Sequence, residues 1–305
     1  MPAAKKTRKA TPPGVARVGI SGWIYPEWRG VFYPKGLVHR RELEFASRAL
    51  PTIELNGSFY SLQRPESYRK WHDETPPDFV FSVKAPKFIT HIKRLRNIDA
   101  PMANFFASGI ANFGAKLGPI LWQLPPTMRF DPDLLDAFLT LLPRDSDAAA
   151  ACAQRHDVRV NGRTQLDFGP RRPLRHALEV RHASFVDPAL IRLLRKHRVA
   201  LVVADTARKW PEFEDVTADF VYVRLHGASA LYKSGYTAAQ LKQWSARIER
   251  WRRGGESPRE NRISAAAAPK RATRDVYCYF DNTEKVFAPA NARRMLNILA
   301  ATPRS

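Results

Sequence analysis

A chain of 305 residues with 44% hydrophobic side chains is long enough to bury the core of one large domain, and it has no run of the roughly 18 to 20 apolar residues that spans a bilayer, so no membrane association is expected. Its basic N-terminus has no apolar stretch behind it, so no secretory signal is expected, and Cys152 and Cys278, far apart in sequence and without CxxC spacing, suggest no disulfide framework, so a cytoplasmic location is expected. Fifty lysines and arginines against 29 acids give a formal net charge of +21, which points toward polyanionic partners.

Two segments rich in Ala, Pro, Gly and Ser concentrate that charge. Residues 1–17 hold five bases and no acid, and residues 252–274 hold seven bases against Glu256 and Glu260. The first reads as a disordered basic tail and the second as a disordered basic loop. After the tail, Val18 to Trp23 reads as a strand, followed by an aromatic loop through Tyr25, Trp28, Phe32 and Tyr33 and a helix from His39 to Leu50. Thr52 to Asn56 is a second strand, Pro65 opens a helix across Tyr68 and Trp71, and Phe79 to Ala85 is a third strand. Its loop carries Lys84, Lys87, Lys93, Arg94, Arg96 and His91, with no acid from Ala85 to Ile98.

Spacings of three and four predict one helix across Phe105, Phe106, Ile110 and Phe113. A fourth strand through GPILWQ stops at Pro125 and Pro126, and Asp131 with Pro132 caps and starts a helix. Residues 144–175 read as a polar insert of low periodicity. The fifth strand is HALEVRH, from His176 to His182; Asp187 and Pro188 start a helix, ALVVAD is the sixth strand and FVYVRLHG the seventh. Thr237 caps a long helix, VYCYFDN is the eighth strand, and a last helix runs from Pro289 to Ala300. Eight apolar strands separated mostly by helices describe parallel β/α units, and the expected fold is a single-domain α/β (β/α)8 TIM-like barrel over residues 18–300. An open doubly wound sheet is less consistent, because no GxGxxG or GxxxxGK[ST] occurs.

In such a barrel the active site lies at the C-terminal strand ends. Those ends carry Ser21 and Trp23, Glu54 and Asn56, Lys84, Gln123, Glu179 with Arg181 and His182, Asp205, Arg224 and His226, and Asp281 with Asn282. Period-two alternation puts Glu54 with Asn56, Glu179 with Arg181, and Arg224 with His226 on shared faces. If those faces point inward, Glu54, Glu179, Asp205 and His226 are acid-base candidates, and Lys84, Arg181 and Arg224 hold an anion. Trp23, Asn56, His91, Arg94, Gln123, His182 and Asn282 complete the expected substrate contacts, the first-loop aromatics offering flat surfaces for a base or sugar. The competing structural account is an ion network that plugs the barrel top. No metal ligands are assigned, since no HxH or HExxH spacing occurs; a divalent metal stays an open alternative, and the cofactor is unknown.

Through GISGWIYPEWRGVFYP, TIELNGSFYSL, FSVKAPKFITHIKRL, KLGPILWQLPP, LEVRHASF, ADFVYVRLHG and VYCYFDNT the chain resembles the YecE-like family, a domain of unknown function numbered 72, over nearly all of Val18 to Ala300. The resemblance implies a TIM barrel of unestablished activity. A likeness of the family barrel to endonuclease IV would imply a phosphodiester substrate, but the metal ligands of that nuclease have no matching motif here. Where the family reads YFNND, this chain has Tyr279, Phe280, Asp281, Asn282 and Thr283, so the resemblance gives Asp281 no role. The expectation is an enzyme of hydrolase type acting on an anionic small molecule or nucleic acid at the C-terminal face. The alternative is a non-catalytic nucleic-acid or nucleotide binder; reaction, substrate and oligomeric state stay open.

Overall fold

A computed structural model describes residues 12–302. Eight parallel strands close into a barrel in sequence order: β1 (Ala16–Ser21), β2 (Thr52–Leu55), β3 (Val80–Lys84), β4 (Leu117–Gln123), β5 (His176–Glu179), β6 (Ala200–Asp205), β7 (Phe220–Leu225) and β8 (Asp275–Phe280), with β8 pairing back onto β1. Around them run α1 (Glu42–Ala49), α2 (Gly57–Tyr60), α3 (Pro65–Asp73), α4 (Asp99–Ala107), α5 (Pro132–Leu141), α6 (Ser146–Ala153), α7 (Pro188–His197), α8 (Ala238–Arg252) and α9 (Phe287–Ala301). The (β/α)8 barrel read from the strand count is therefore the observed architecture.

The helix starts follow the local chemistry. Asp131, Asp145, Asp187 and Thr237 each accept a backbone N–H of the first turn, and Thr237 with Gln240 completes a capping box. The strands are buried on both faces, as parallel strands in a barrel must be. One set of side chains, including Leu121, Ala177, Val202, Ala204, Phe220, Tyr222, Tyr277 and Tyr279, fills the lumen. The alternate set, such as Ile53, Phe81, Trp122, Leu178, Val203, Val223 and Phe280, packs outward against the helices. Within the lumen Thr52 and Tyr279 share a hydroxyl hydrogen bond of 2.8 Å, and Ser82 and Tyr222 share one of 2.7 Å.

Four expectations are corrected. The helix across Phe105 to Phe113 breaks at Gly109, whose φ of +113° suits glycine and where a Cβ would stand 2.5 Å from Cα of Pro65; short 3-10 turns follow. The insert 144–175 carries the helix α6. Residues 1–11 of the expected tail lie outside the described residues, but the chain is already held at Gly14, whose N–H donates to the Arg252 carbonyl at 3.0 Å, and β1 begins at Ala16. The segment 252–274 is ordered rather than disordered. Asp215 accepts the N–H groups of Ile263 at 2.7 Å and Ser264 at 3.0 Å, Glu256 accepts that of Ala268 at 2.9 Å, and Arg274, 2% exposed, donates to the Gly255 carbonyl at 3.1 Å. Composition alone missed the buried Asp215, which lies outside the segment. Among the described residues no helix is long and apolar enough to cross a membrane.

Candidate active site

The C-terminal mouth of the barrel is built on Arg224, the last inward residue of β7 and fully buried. The lumen below it is aromatic, so a guanidinium there keeps its charge only if carboxylates surround it. Three do. Nε and Nη2 of Arg224 grip Glu54 in a bidentate pair at 3.0 and 2.8 Å, Nη1 donates to Glu179 at 2.7 Å, and Nη2 donates to Asp281 at 2.9 Å. Glu54 is also saturated from below, accepting the hydroxyls of Ser21 at 2.5 Å and Tyr222 at 2.6 Å. Glu179 accepts Gln123 Nε2 at 3.0 and 3.1 Å and Arg181 Nε at 2.8 Å.

Burial alone would pull Arg224 down, but Asp281, Glu54 and Glu179 hold it well above the ordinary arginine value. Burial would likewise raise the Glu179 carboxyl, yet Arg181, Arg224, His226 and Lys84 keep it well below the usual carboxylate range. Asp281 follows the same balance and is lowered, chiefly by Arg224 and His226 against burial. A fully buried carboxylate with both oxygens engaged is a poor acid-base group, and for Glu179 the lowered proton affinity adds to this. Glu54 and Glu179 thus act as a charge framework around Arg224.

Above that framework lie the groups that face the mouth. His226 is wedged among charges: Nε2 stands 3.4 Å from Arg224 Nη1 and 3.8 Å from Glu179, and Nδ1 stands 2.9 Å from Asp281 Oδ2 in a geometry that makes no hydrogen bond. Arg181 lies flat on Trp210, 4.0 Å from the ring centroid, and reaches the Tyr232 hydroxyl at 3.4 Å. Tyr232 also meets the His226 ring edge-on. Lys84 is 8% exposed, with its ammonium 4.1 Å from the centroid of Phe59. Among the described residues it has neither an ion-pair nor a hydrogen-bond partner, the three nearest carboxylates being committed to Arg224 and Arg181. Burial and Arg224 together pull it down to about 8, against Asp281, Glu54 and Glu179. His91 packs edge-on against Phe59 and is pulled to about 4 by burial, Lys84 and Arg181. Beside Phe59 opens an apolar cavity of about 440 Å³ with Tyr60, Lys87, Phe88 and Ile92 in its wall.

Several expected site residues fall elsewhere. Asp205 points outward, because Ala204 takes the lumen position beside Arg224; its carboxylate accepts the Tyr236 hydroxyl at 3.0 Å and the Ala207 N–H at 3.2 Å. Trp23 packs edge-on against Trp71 and Phe81 in the outer core, and Trp28 and Tyr33 are buried beside Phe32, so the first loop is a packing cluster and not a stacking platform. Asn282 ties the end of β8 to α9 through Asn291 at 3.1 Å. His182 accepts the Ser184 N–H and starts a short 3-10 turn, and Arg94 turns to the Thr127 carbonyl at 2.7 Å. Asn56 precedes α2 at the mouth, its Oδ1 buried without a hydrogen-bond partner. The reading from sequence missed Tyr222, Trp210 and Tyr232. The first was legible, two residues before Arg224 on the same face; the other two lie in loops without periodicity. Among the described residues no three His, Cys, Asp or Glu side chains are grouped to hold a metal ion.

Comparison with known proteins agrees with this geometry at the level of fold. A segment of 129 residues is 31% identical to UPF0759 protein YecE of Escherichia coli K12, covering 41% of this chain and 44% of that one. A segment of 114 residues is 30% identical to UPF0759 protein YunF of Bacillus subtilis, covering 36% and 39%. The matches thus span under half the length of either relative. A DUF72 family protein of Thermotoga maritima superposes with a TM-score of 0.67 at 23% identity, covering 94% of this chain and 99% of that one. One from Enterococcus faecalis superposes with a TM-score of 0.67 at 16% identity, covering 95% and 97%. The family described as protein of unknown function DUF72 matches residues 17–305, and the chain belongs to it.

Proposed function

We propose that the protein is an enzyme acting on an anionic, phosphorylated or nucleic-acid-like substrate at the C-terminal barrel mouth. The observation that carries this reading is Lys84: a buried ammonium left without an anion, in a mouth whose own carboxylates are all engaged. A cation held this way is costly unless a ligand supplies the negative charge. Lys84 and the Trp210-stacked Arg181 would grip the anion, a planar guanidinium matching phosphate or carboxylate oxygens. His226, whose Nδ1 has no hydrogen bond, is the proton-transfer group, and Asp281 beside it steadies the imidazolium. The wall of Phe59 and Tyr60 would receive an apolar part of the substrate.

The test is a thermal-shift screen with inorganic phosphate, sugar phosphates and mononucleotides, followed by turnover of the hits and of bis-p-nitrophenyl phosphate. Lys84→Met should abolish the ligand-induced shift, and His226→Gln should keep it while losing turnover. A His226→Gln protein with full turnover, or a wild type that none of these anions shifts, refutes the proposal. Saturable binding with no product under any condition would leave the non-catalytic binder as the better account.

A further inference from the structure

The opposite end of the barrel carries a second concentration of charge that the mouth does not use. A cleft of about 850 Å³ opens across the N-terminal ends of β4 to β8, between the β4, β5 and β7 entrances at Leu117, Arg175 and Asp219. That face of a TIM barrel ordinarily serves stability. Here it is lined by Arg144, Arg172, Arg195, Arg198 and Arg271, none of which has a carboxylate partner among the described residues. The acids near the cleft are already taken. Asp219 and Asp275 pair with Arg175 at 3.3 and 2.8 Å, Asp136 pairs with Lys196 at 2.8 Å and with His197, and Asp215 accepts backbone N–H groups.

Three of the five guanidiniums are half-buried and make do with neutral acceptors. Arg144 Nη2 donates to the Leu139 carbonyl at 2.7 Å, Arg172 donates to the Phe168 carbonyl, and Arg195 donates to Val216 and Ala266 carbonyls at 3.3 and 3.2 Å while its Nη2 is buried with no partner. Burial, and for Arg144 the neighbouring Arg198, lower the affinity of Arg144 and Arg195 for their protons. Arg198 itself is presented from a left-handed backbone at φ +51°. A packing role would favour removing such charges, since crowded like charges destabilise a fold.

We infer that this cleft is a nucleic-acid site, in which Arg144, Arg172, Arg195, Arg198 and Arg271 grip successive phosphates of a strand. A guanidinium binds phosphate bidentately, and several without carboxylates suit several phosphates. Sequence-independent contact is expected, because Tyr277 is the one aromatic in the lining and sits in the lumen. An extended strand suits the surface better than a compact polyphosphate, because the five guanidiniums come from four separate segments around the cleft: the α5–α6 connection, the approach to β5, the end of α7 and the approach to β8. Arg259, on the ordered segment that brings Arg271 here, is exposed without a carboxylate partner among the described residues, whereas Arg252 and Arg262 of that segment pair with Glu249 and Glu256 at 2.5 and 2.8 Å.

The experiment is fluorescence anisotropy of the full chain with a single-stranded 20-mer over a salt series. The variants are Arg198→Gln with Arg271→Gln, a charge-matched control of Arg40→Gln with Lys242→Gln outside the cleft lining, and a chain lacking residues 1–11. Both cleft arginines are exposed, so the double variant should fold as the wild type does. It should bind at least tenfold more weakly at moderate salt, and the slope of log affinity against log salt should fall by about 1.4, two phosphate contacts at roughly 0.7 each for a single strand. The control should leave both nearly unchanged, and the truncated chain should keep most of the affinity. The inference is overturned by unchanged affinity in the double variant, by an equal loss in the charge-matched control, or by loss confined to the truncated chain. It is also overturned if inorganic tripolyphosphate displaces the 20-mer at a lower phosphate concentration than unlabelled 20-mer does, which would assign the cleft to a small compact anion.

Discussion

Replacing Lys84 with methionine should make the protein more stable at neutral pH, a direction opposite to that of most core substitutions. The ammonium ordinarily titrates at 10.5 and is pulled to about 8 in the fold. A shift of that size is a cost of about 3 kcal/mol carried by the charged form. The Phe59 ring, 4.1 Å from the ammonium, offsets roughly 1 to 2 kcal/mol through a desolvated cation–π contact that methionine gives up. Methionine keeps the length and the packing, so the net gain at pH 7 should be about 1 to 2 kcal/mol. The sign with pH follows from proton binding. Between about 8 and 10.5 the unfolded chain holds a proton the native state lacks, so wild-type stability climbs across that window relative to the variant. Urea unfolding of both proteins at pH 7 and pH 10.5 measures it, through midpoints at matched slopes. A variant less stable than wild type at pH 7, or a difference that does not change with pH, would refute the reasoning and show that Lys84 has a stabilising partner.

Other outcomes follow from the same contacts. Glu179→Gln should lower stability by about 3 to 5 kcal/mol, because it leaves Arg224 and Arg181 short of a buried counter-charge; an unaltered urea midpoint at pH 7 would contradict the framework role. Since burial is outweighed and the Glu179 carboxyl lies well below its ordinary 4.5, its stabilisation is present at neutral pH and is lost as pH falls through the acid range, so the variant and wild type should converge there. An anion held by Lys84 should bind more weakly as pH rises past about 8, and Lys84→Arg should remove that dependence; isothermal titration with a hit from the screen decides it. Gly254, at φ +78° with a Cβ position 2.0 Å from the Arg271 carbonyl oxygen, should not tolerate alanine. Limited trypsin digestion should spare residues 252–274 in the wild type and cut there in Gly254→Ala; ready cleavage of the wild type would instead support a loose loop.

By itself the sequence determined the barrel and most of its inward faces. The β/α count needs no long-range information, and period-two alternation put Glu54, Glu179, Arg181, Arg224 and His226 where they stand, because a strand can offer its residues to only two sides. It did not decide Asp205. ALVVAD is apolar at both alternations, as strands buried on both faces are, so only the register against Arg224 shows that Ala204 faces the lumen and Asp205 the helices. Ion pairing was likewise out of reach. Arg224 meets Glu54 across 170 positions and Glu179 across 45, and charge balance in a buried layer depends on which side chains the closed barrel brings together. The unpaired state of Lys84, the ordering of 252–274 on Asp215, and the carboxylate-free arginines at the N-terminal face share that origin. Each is a property of distances between segments remote in sequence, and local composition carries no record of those distances.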